Sequence, residues 1–356
     1  MNRRKLHKAL LRLRKLPKNR YLILYLLNKL NHFRLKAVRS AKVARPSTVM
    51  IELTNQCNLR CTTCPREYDY GKAMDRGYIG MDQAKKIIDE LWPYLDSIGL
   101  TGMGETMMYK DIEEVVDYIH AKNPGIIISI STNAMLPGFI DRIAPLIGKI
   151  DTIQVSIDGL GEVYEKIRLN AGFEMLDQNL RKLAHLCRDT RTDLMLNMVV
   201  TKENYHQMAG LVDYAGKTGI SYMDFTLFNL ASVTDIPASY YRFYKSKEFL
   251  RAVDDLEEAI AGKSEVIVTN RNFKTDNGFR KCPFPWTHFY ICWDGYITPC
   301  CAKPFPKELN FGNVFERGVM KVLNSEGFRE FRRMWFRNET PAFCEKCHFI
   351  DVEPIG

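Results

Sequence analysis

No stretch of this 356-residue chain approaches the roughly 18 consecutive apolar residues that read as a membrane span. The longest run, "YLILYLLNKL", is too short and carries a lysine. No small-residue cleavage site follows an apolar core near the N-terminus, so no secretory signal is read. Ten cysteines without such a signal argue against a disulfide scaffold. They point instead to metal or redox chemistry in a reducing, cytoplasmic compartment. Acid is missing from one region. Residues 1–45 hold 15 Lys and Arg and no Asp or Glu. The formal charge of +9 therefore belongs to an N-terminal arm, and the remaining 36 basic and 42 acidic residues leave the body at −6. A mildly acidic body gives no reason to expect a nucleic-acid partner. Internal repeats and low-complexity segments are also absent, which excludes a solenoid.

The arm has helical spacing. "RRKLHKALLRLRKL" places Leu6, Leu10 and Leu13 on one face, Pro17 ends that helix, and residues 20–38 form a second. A basic amphipathic arm fits a membrane surface, a nucleic acid or an acidic partner, or else packing on the body with its basic face in water. From Val49 a regular alternation begins. Short apolar runs ("VMIEL", "SIGLTG", "GIIISIST", "IDTIQVSID", "DLMLNMVV", "YMDFTLF") are separated by amphipathic helices such as "MDQAKKIIDELWPYL". Strands that are apolar throughout, each followed by a helix, predict βαβ units and a parallel sheet with helices on it. Six units are two short of a closed eight-fold barrel. The expected architecture is therefore α/β: a partial, TIM-like (β/α)6 barrel over residues 46–231, preceded by the helical arm 1–45. A helical linker at 232–264 and a small α+β unit at 265–356 follow.

Nine of the ten cysteines fall in two groups. "CNLRCTTC" places Cys57, Cys61 and Cys64 on the loop after the first strand. Three thiolates leave one coordination position open, whereas structural zinc sites close with four ligands. A [4Fe–4S] cluster held by three cysteines keeps one iron free. Cys282, Cys300, Cys344 and Cys347 make a second set of four thiolates, two isolated and two as C-x2-C. Cys187 stands apart on an apolar helix face, where a thiol packs as a small hydrophobe.

In this position C-x3-C-x2-C resembles the radical S-adenosylmethionine (radical SAM) superfamily. Thr63 stands where the family often has an aromatic residue. The resemblance implies that the free iron chelates SAM, and that one electron cleaves SAM to a 5′-deoxyadenosyl radical that abstracts hydrogen from a substrate. Later strand ends carry more of the pattern. "GMGE", which is Gly102, Met103, Gly104 and Glu105, is similar to the family's SAM-ammonium loop, with Thr106 in place of the usual proline. "SISTN" offers Ser131 and Asn133, and "QVSIDG" offers Ser156 and Asp158, where the family meets the SAM ribose or carboxylate. Arg168 of "YEKIRLNAGFE" falls where the family pairs an arginine with that carboxylate, a good match for a guanidinium fork.

The second set, spaced around "DG" and "FGNVFERG", resembles the SPASM or shorter twitch extension of these enzymes. That resemblance implies one auxiliary [4Fe–4S] cluster with four Cys ligands, suited to electron transfer. Cys292 and Cys301 are left over. Since neighbours in extended chain point to opposite sides, Cys301 is expected to face away from Cys300. It is either a packing residue or a hydrogen-donating thiol of the kind radical SAM epimerases use.

The expected activity is oxidation or epimerisation of a small polar substrate, a sugar, aminocyclitol or sugar conjugate, with flavodoxin or ferredoxin as reductant. A ribosomally made peptide is the alternative substrate, disfavoured because residues 1–45 lack strand alternation. A non-catalytic Fe–S or zinc protein is the rival from another class.

Overall fold

A computed structural model describes residues 20–262, 265–273 and 282–348. The expected helix at 3–16 lies outside them. Nine strands of the described residues form one sheet. They are β1 (Thr48–Ile51), β2 (Ser97–Leu100), β3 (Ile127–Thr132), β4 (Thr152–Ser156), β5 (Asp193–Val200), β6 (Tyr222–Leu227), β7 (Ile267–Asn270), β8 (Phe289–Ile291) and β9 (Ile297–Thr298). Their order across the sheet is β9-β8-β1-β2-β3-β4-β5-β6-β7. β1 to β6 are parallel neighbours in chain order, which is the expected partial barrel.

The helices between them are α2 (Met81–Leu91), α3 (Ile112–Lys122), α4 (Phe139–Ile143), α5 (Phe173–Cys187) and α6 (Met208–Thr218); α1 (Arg20–Ala37) precedes β1. Their spacing explains their burial. α2 buries Ala84, Ile87, Ile88 and Leu91, one stripe at helical period. α6 ends on Gly219 in the left-handed conformation, φ 73°, which glycine adopts without strain. Cys187 is buried at the end of α5 among core residues.

Two differences from the sequence reading bear on function. The segment read as a linker contains α7 (Lys247–Ala261), capped by Ser246, and leads into β7. β7 adds parallel to β6, so α7 is a sixth crossover helix and the sheet continues past residue 265. At the opposite edge β8 adds parallel to β1, with Val49 opposite Phe289, and β9 turns back antiparallel on β8. The C-terminal unit is thus hydrogen-bonded into the barrel sheet.

Glu52, just after β1, reinforces that seam. Its buried carboxylate accepts from the Tyr290 hydroxyl at 2.7 Å, from Met103 N at 2.8 Å and from Trp293 N at 3.2 Å. Burial pushes its pKa up, against the pull of these three donors. Arg332 of α8 (Glu326–Phe336) is likewise fully buried, donating to the carbonyls of Pro285, Leu323 and Ala41. Burial without a carboxylate partner lowers its pKa to about 9.

Candidate cluster and cofactor site

The loop after β1 is held before it presents any sulfur. Thr54 donates to Gly77 O at 2.7 Å, and Asn55 bridges Asp75 O and Gly77 N. Arg60–Cys61 then pairs antiparallel with Arg168–Leu169, setting Cys61 opposite Arg168. Cys64 begins a short helical turn, Pro65–Glu67, with its N–H on Cys61 O at 3.0 Å. The three thiols therefore lie within electrostatic reach of one another. Burial raises the pKa of all three, that of Cys61 to about 12.

Each sulfur also has a nitrogen donor. Leu59 N and Asn133 Nδ2 lie 3.5 and 3.7 Å from Cys57 Sγ. Arg168 Nη1 lies 3.8 Å from Cys61 Sγ, and the Arg66 N–H serves Cys64. The buried Arg66 side chain lowers the cost of charge on Cys57 and Cys64. Sulfurs that are costly to ionise alone, yet surrounded by N–H groups and two guanidiniums, suit a metal that deprotonates its thiols.

The other residues singled out in the sequence gather at the neighbouring strand ends. A Cβ on Gly104 would overlap the carbonyl oxygens of Thr54 and Gln56, and one on Gly102 would overlap the Glu52 side chain. Both glycines let this loop lie against the cluster loop. Glu105 is buried and already engaged. It accepts from Thr132 Oγ1 at 2.6 Å, Asn133 N at 2.6 Å and Met107 N at 3.0 Å, tying the end of β2 to the end of β3. Asn133 turns its amide toward Cys57 and Asn58. Ser131 donates to Gln154 Oε1 at 3.2 Å, and Ser156, half-buried, ends β4.

Asp158 is fully buried and accepts from Val199 N at 2.9 Å. Its second oxygen lies 2.8 Å from Arg168 Nη2, close enough for an ion pair but too poorly aligned for a hydrogen bond. Burial opposes charge on Arg168, but Asp158 and Cys61 outweigh it, so the guanidinium stays charged. Arg168 Nε is buried and makes no hydrogen bond, leaving a donor for an anion at this point. That orphan beside Cys61 fits both a cluster and a carboxylate.

The second cysteine set also converges. Cys282, Cys300, Cys344 and Cys347 line one small cavity, walled by Phe331 and Trp335. Asn229 Nδ2, from the loop after β6, lies 3.7 Å from Cys347 Sγ, and Ala302 N lies 3.2 Å from Cys300 Sγ. Cys301 does not line the cavity. The sequence reading expected its thiol to face away from Cys300, yet the two thiols lie within electrostatic reach of each other. β9 ends at Thr298, so this pair lies in a turn, where strand alternation no longer applies. Cys292 is a buried residue of the β8–β9 hairpin. Among the described residues, no three His, Cys, Asp or Glu side chains converge closely enough to hold a single metal ion. The sulfurs of both sets are gathered more loosely than that.

Beside the second set, sharing Ala231, Lys303 and Phe343 with its cavity, lies an open cleft of about 480 Å³. Tyr70, just beyond the first cysteines, Leu230 and Thr234, after β6, and Lys303, Glu345 and Lys346 of the C-terminal unit line it. Lys303 is buried, donates to Phe343 O at 3.0 Å and pairs with Glu308. Sequence reasoning missed Glu52, Arg66, Asn229 and Lys303. Only Arg66, two residues past Cys64, carried a signal, a charge placed beside the cysteine motif.

A family model described as the radical SAM superfamily matches residues 51–215, and one described as an iron-sulfur cluster-binding domain matches residues 282–348. The chain is similar to the mycofactocin maturase MftC of Mycolicibacterium smegmatis, with 30% identity covering 86% of this chain and 76% of that protein. It is similar to the Fe-coproporphyrin III synthase of Methanosarcina barkeri, with 30% identity covering 85% and 81%. Its fold matches Streptococcus suis SuiB bound to the precursor peptide SuiA. The TM-score is 0.64 at 17% identity, covering 84% of this chain and 68% of that one.

Proposed function

Because this chain belongs to the radical SAM superfamily and carries its SPASM-type cluster domain, we propose that it is a maturase that modifies a ribosomally made peptide or protein. Its cofactors are SAM, the [4Fe–4S] cluster of the superfamily and auxiliary iron–sulfur chemistry in the C-terminal domain. When bound, they supply a 5′-deoxyadenosyl radical at the barrel mouth and a one-electron site beside it. The chain's own groups do the rest. Cys57, Cys61 and Cys64 hold the first cluster, and Cys282, Cys300, Cys344 and Cys347 hold the second. The Gly102–Glu105 backbone, Ser131 and Ser156 face SAM. Arg168, held charged by Asp158, receives its carboxylate, and Asn133 steadies Cys57.

The observation that carries the peptide reading is the open cleft lined by Tyr70, the loop after β6 and the C-terminal domain. Its exposed Glu345 and half-buried Lys346 offer charge of both signs to a backbone and its side chains, while Lys303 and Glu308 pair with each other. The sequence favoured a sugar or aminocyclitol. The maturase relative and the peptide-bound fold relative support a peptide instead.

The test is anaerobic reconstitution, which should give about eight irons per chain, followed by SAM turnover under reducing conditions. Peptides encoded beside the gene should stimulate 5′-deoxyadenosine release and change mass. Stimulation only by sugars, or only by an iron porphyrin, sinks the peptide reading. Cys301→Ala should leave the iron content unchanged, because Cys301 lies outside the cavity, whereas Cys300→Ala should lose about four irons. Equal iron loss from both variants would move the ligand assignment.

A further inference from the structure

α1 is packed the wrong way round for a surface helix. Its polar residues face the protein. Tyr25 and Lys29 each reach Asp96 at 2.6 Å, Asn28 bonds Arg45 O at 2.9 Å, and His32 Nε2 lies 2.7 Å from the same carbonyl. The Tyr21 ring packs on Trp92 with centroids 4.4 Å apart. Its apolar residues face solvent: Ile23 is 61% exposed, Leu26 49%, Leu27 56%, Leu30 64% and Phe33 74%. Spacings of three and four put these five on one face. A helix usually buries its apolar stripe in its own core; here a dense polar contact holds that stripe outward.

The charge around the face restricts its partner. Residues 1–45 contain 15 Lys and Arg and no acid, and Arg34 and Lys36 stand in the last turn of α1. A second copy would bring one acid-free basic face against another. Residues 1–19, with eight Lys and Arg and no acid, would do the same. An anionic lipid surface complements both the apolar stripe and the flanking cations. Among the described residues no helix is long and apolar enough to cross a membrane, so α1 would lie in the plane of the interface, along about 27 Å.

We propose that the outward face of α1, formed by Ile23, Leu26, Leu27, Leu30 and Phe33, docks the enzyme on an anionic membrane surface. α1 meets the barrel at Asp96, which precedes β2, so the docked face lies at the N-terminal ends of the strands. The first cysteine loop, after β1, and the loop after β6 that lines the cleft sit at their C-terminal ends. Docking therefore leaves the reacting end of the barrel clear of the bilayer, and the inference is independent of which substrate the enzyme takes.

Flotation of the full-length holoenzyme with phosphatidylcholine vesicles, with and without phosphatidylglycerol, tests this. Binding should require phosphatidylglycerol and weaken as salt rises. The triple variant L26S/L27S/L30S should bind at least about tenfold less while cleaving SAM in solution at the parent rate, since these exposed side chains line neither the cysteine cavity nor the cleft. In F33W, the added tryptophan should be quenched by iodide in solution and protected on anionic vesicles. Equal flotation of parent and triple variant overturns the proposal, as does no flotation at all. A parent dimer that the triple variant makes monomeric assigns the face to a second copy. Protection of Trp in F33W before vesicles are added, in a monomer, assigns it to the chain's own N-terminal residues. Salt-sensitive binding of an acidic protein such as flavodoxin, lost in the triple variant without lipid binding by the parent, assigns it to that protein.

Discussion

Arg168→Met should abolish SAM cleavage and also cost about 3–5 kcal/mol of stability, because removing one partner of a buried ion pair strands the other. Asp158 would be the stranded charge, fully buried with its second oxygen aimed at the missing guanidinium. The same change removes a donor from Cys61 and an orphaned guanidinium nitrogen beside the first cysteines. Denaturant unfolding of the iron-free protein, where it is reversible, measures the first effect. Release of 5′-deoxyadenosine measures the second. The double variant R168M/D158N separates them. It should recover much of the stability, since no unpaired charge remains, and none of the cleavage. Cleavage by the double variant at the parent rate would remove Arg168 from the SAM site.

Replacing Cys344 and Cys347 together by alanine should uncouple the reaction. The first cysteine set does not share the cavity that these residues line with Cys282 and Cys300. Iron should fall from about eight to about four per chain, and 5′-deoxyadenosine should still form. Modified product should drop by at least about a hundredfold, because the proposed one-electron site beside the cleft is lost. Iron quantitation with product mass spectrometry reads both effects. Product formed at the parent rate would show that the auxiliary site takes no part in turnover. Some loss of stability is also expected, since a metal that bridges distant segments contributes to folding. The cavity joins Cys282, the turn at Cys300 and the pair Cys344 and Cys347, which are separate parts of the C-terminal domain.

Much of this arrangement was legible in the sequence, and the illegible parts share a cause. β1 to β6 could be read because each is a local apolar run with its own following helix. Motif order placed Arg168 at the SAM carboxylate, but its position opposite Cys61 came only from the two-residue pairing in the structure. β8 could not be read: "FYI" is three residues long, and its partner β1 lies far away in the chain. α7 resembled a linker because the strand it serves, β7, has no buried alternation to announce it. In α1 the sequence located the helix but not which of its faces the protein would keep. Tyr25, Lys29 and Asp96 decided that through specific bonds. Glu105 has the sequence position of a ligand group, yet three neighbours had already claimed its oxygens. Periodicity misled at Cys301 because it describes extended chain and the residue lies in a turn.

The pairing of Val49 with Phe289 has a consequence in time. A ribosome adding roughly 5–20 residues per second makes β8 some tens of seconds after β1. Throughout that interval one edge of the nascent barrel lacks its hydrogen-bonding neighbour, and an unpaired strand edge invites association with other chains. The early cysteines and the strand beside them are thus made long before the domain that covers them. Cluster loading at the first site and closure of the sheet edge therefore become a race during synthesis. Chaperone occupancy and the timing of iron delivery, more than the finished enzyme's equilibrium stability, would set how much active protein a cell recovers.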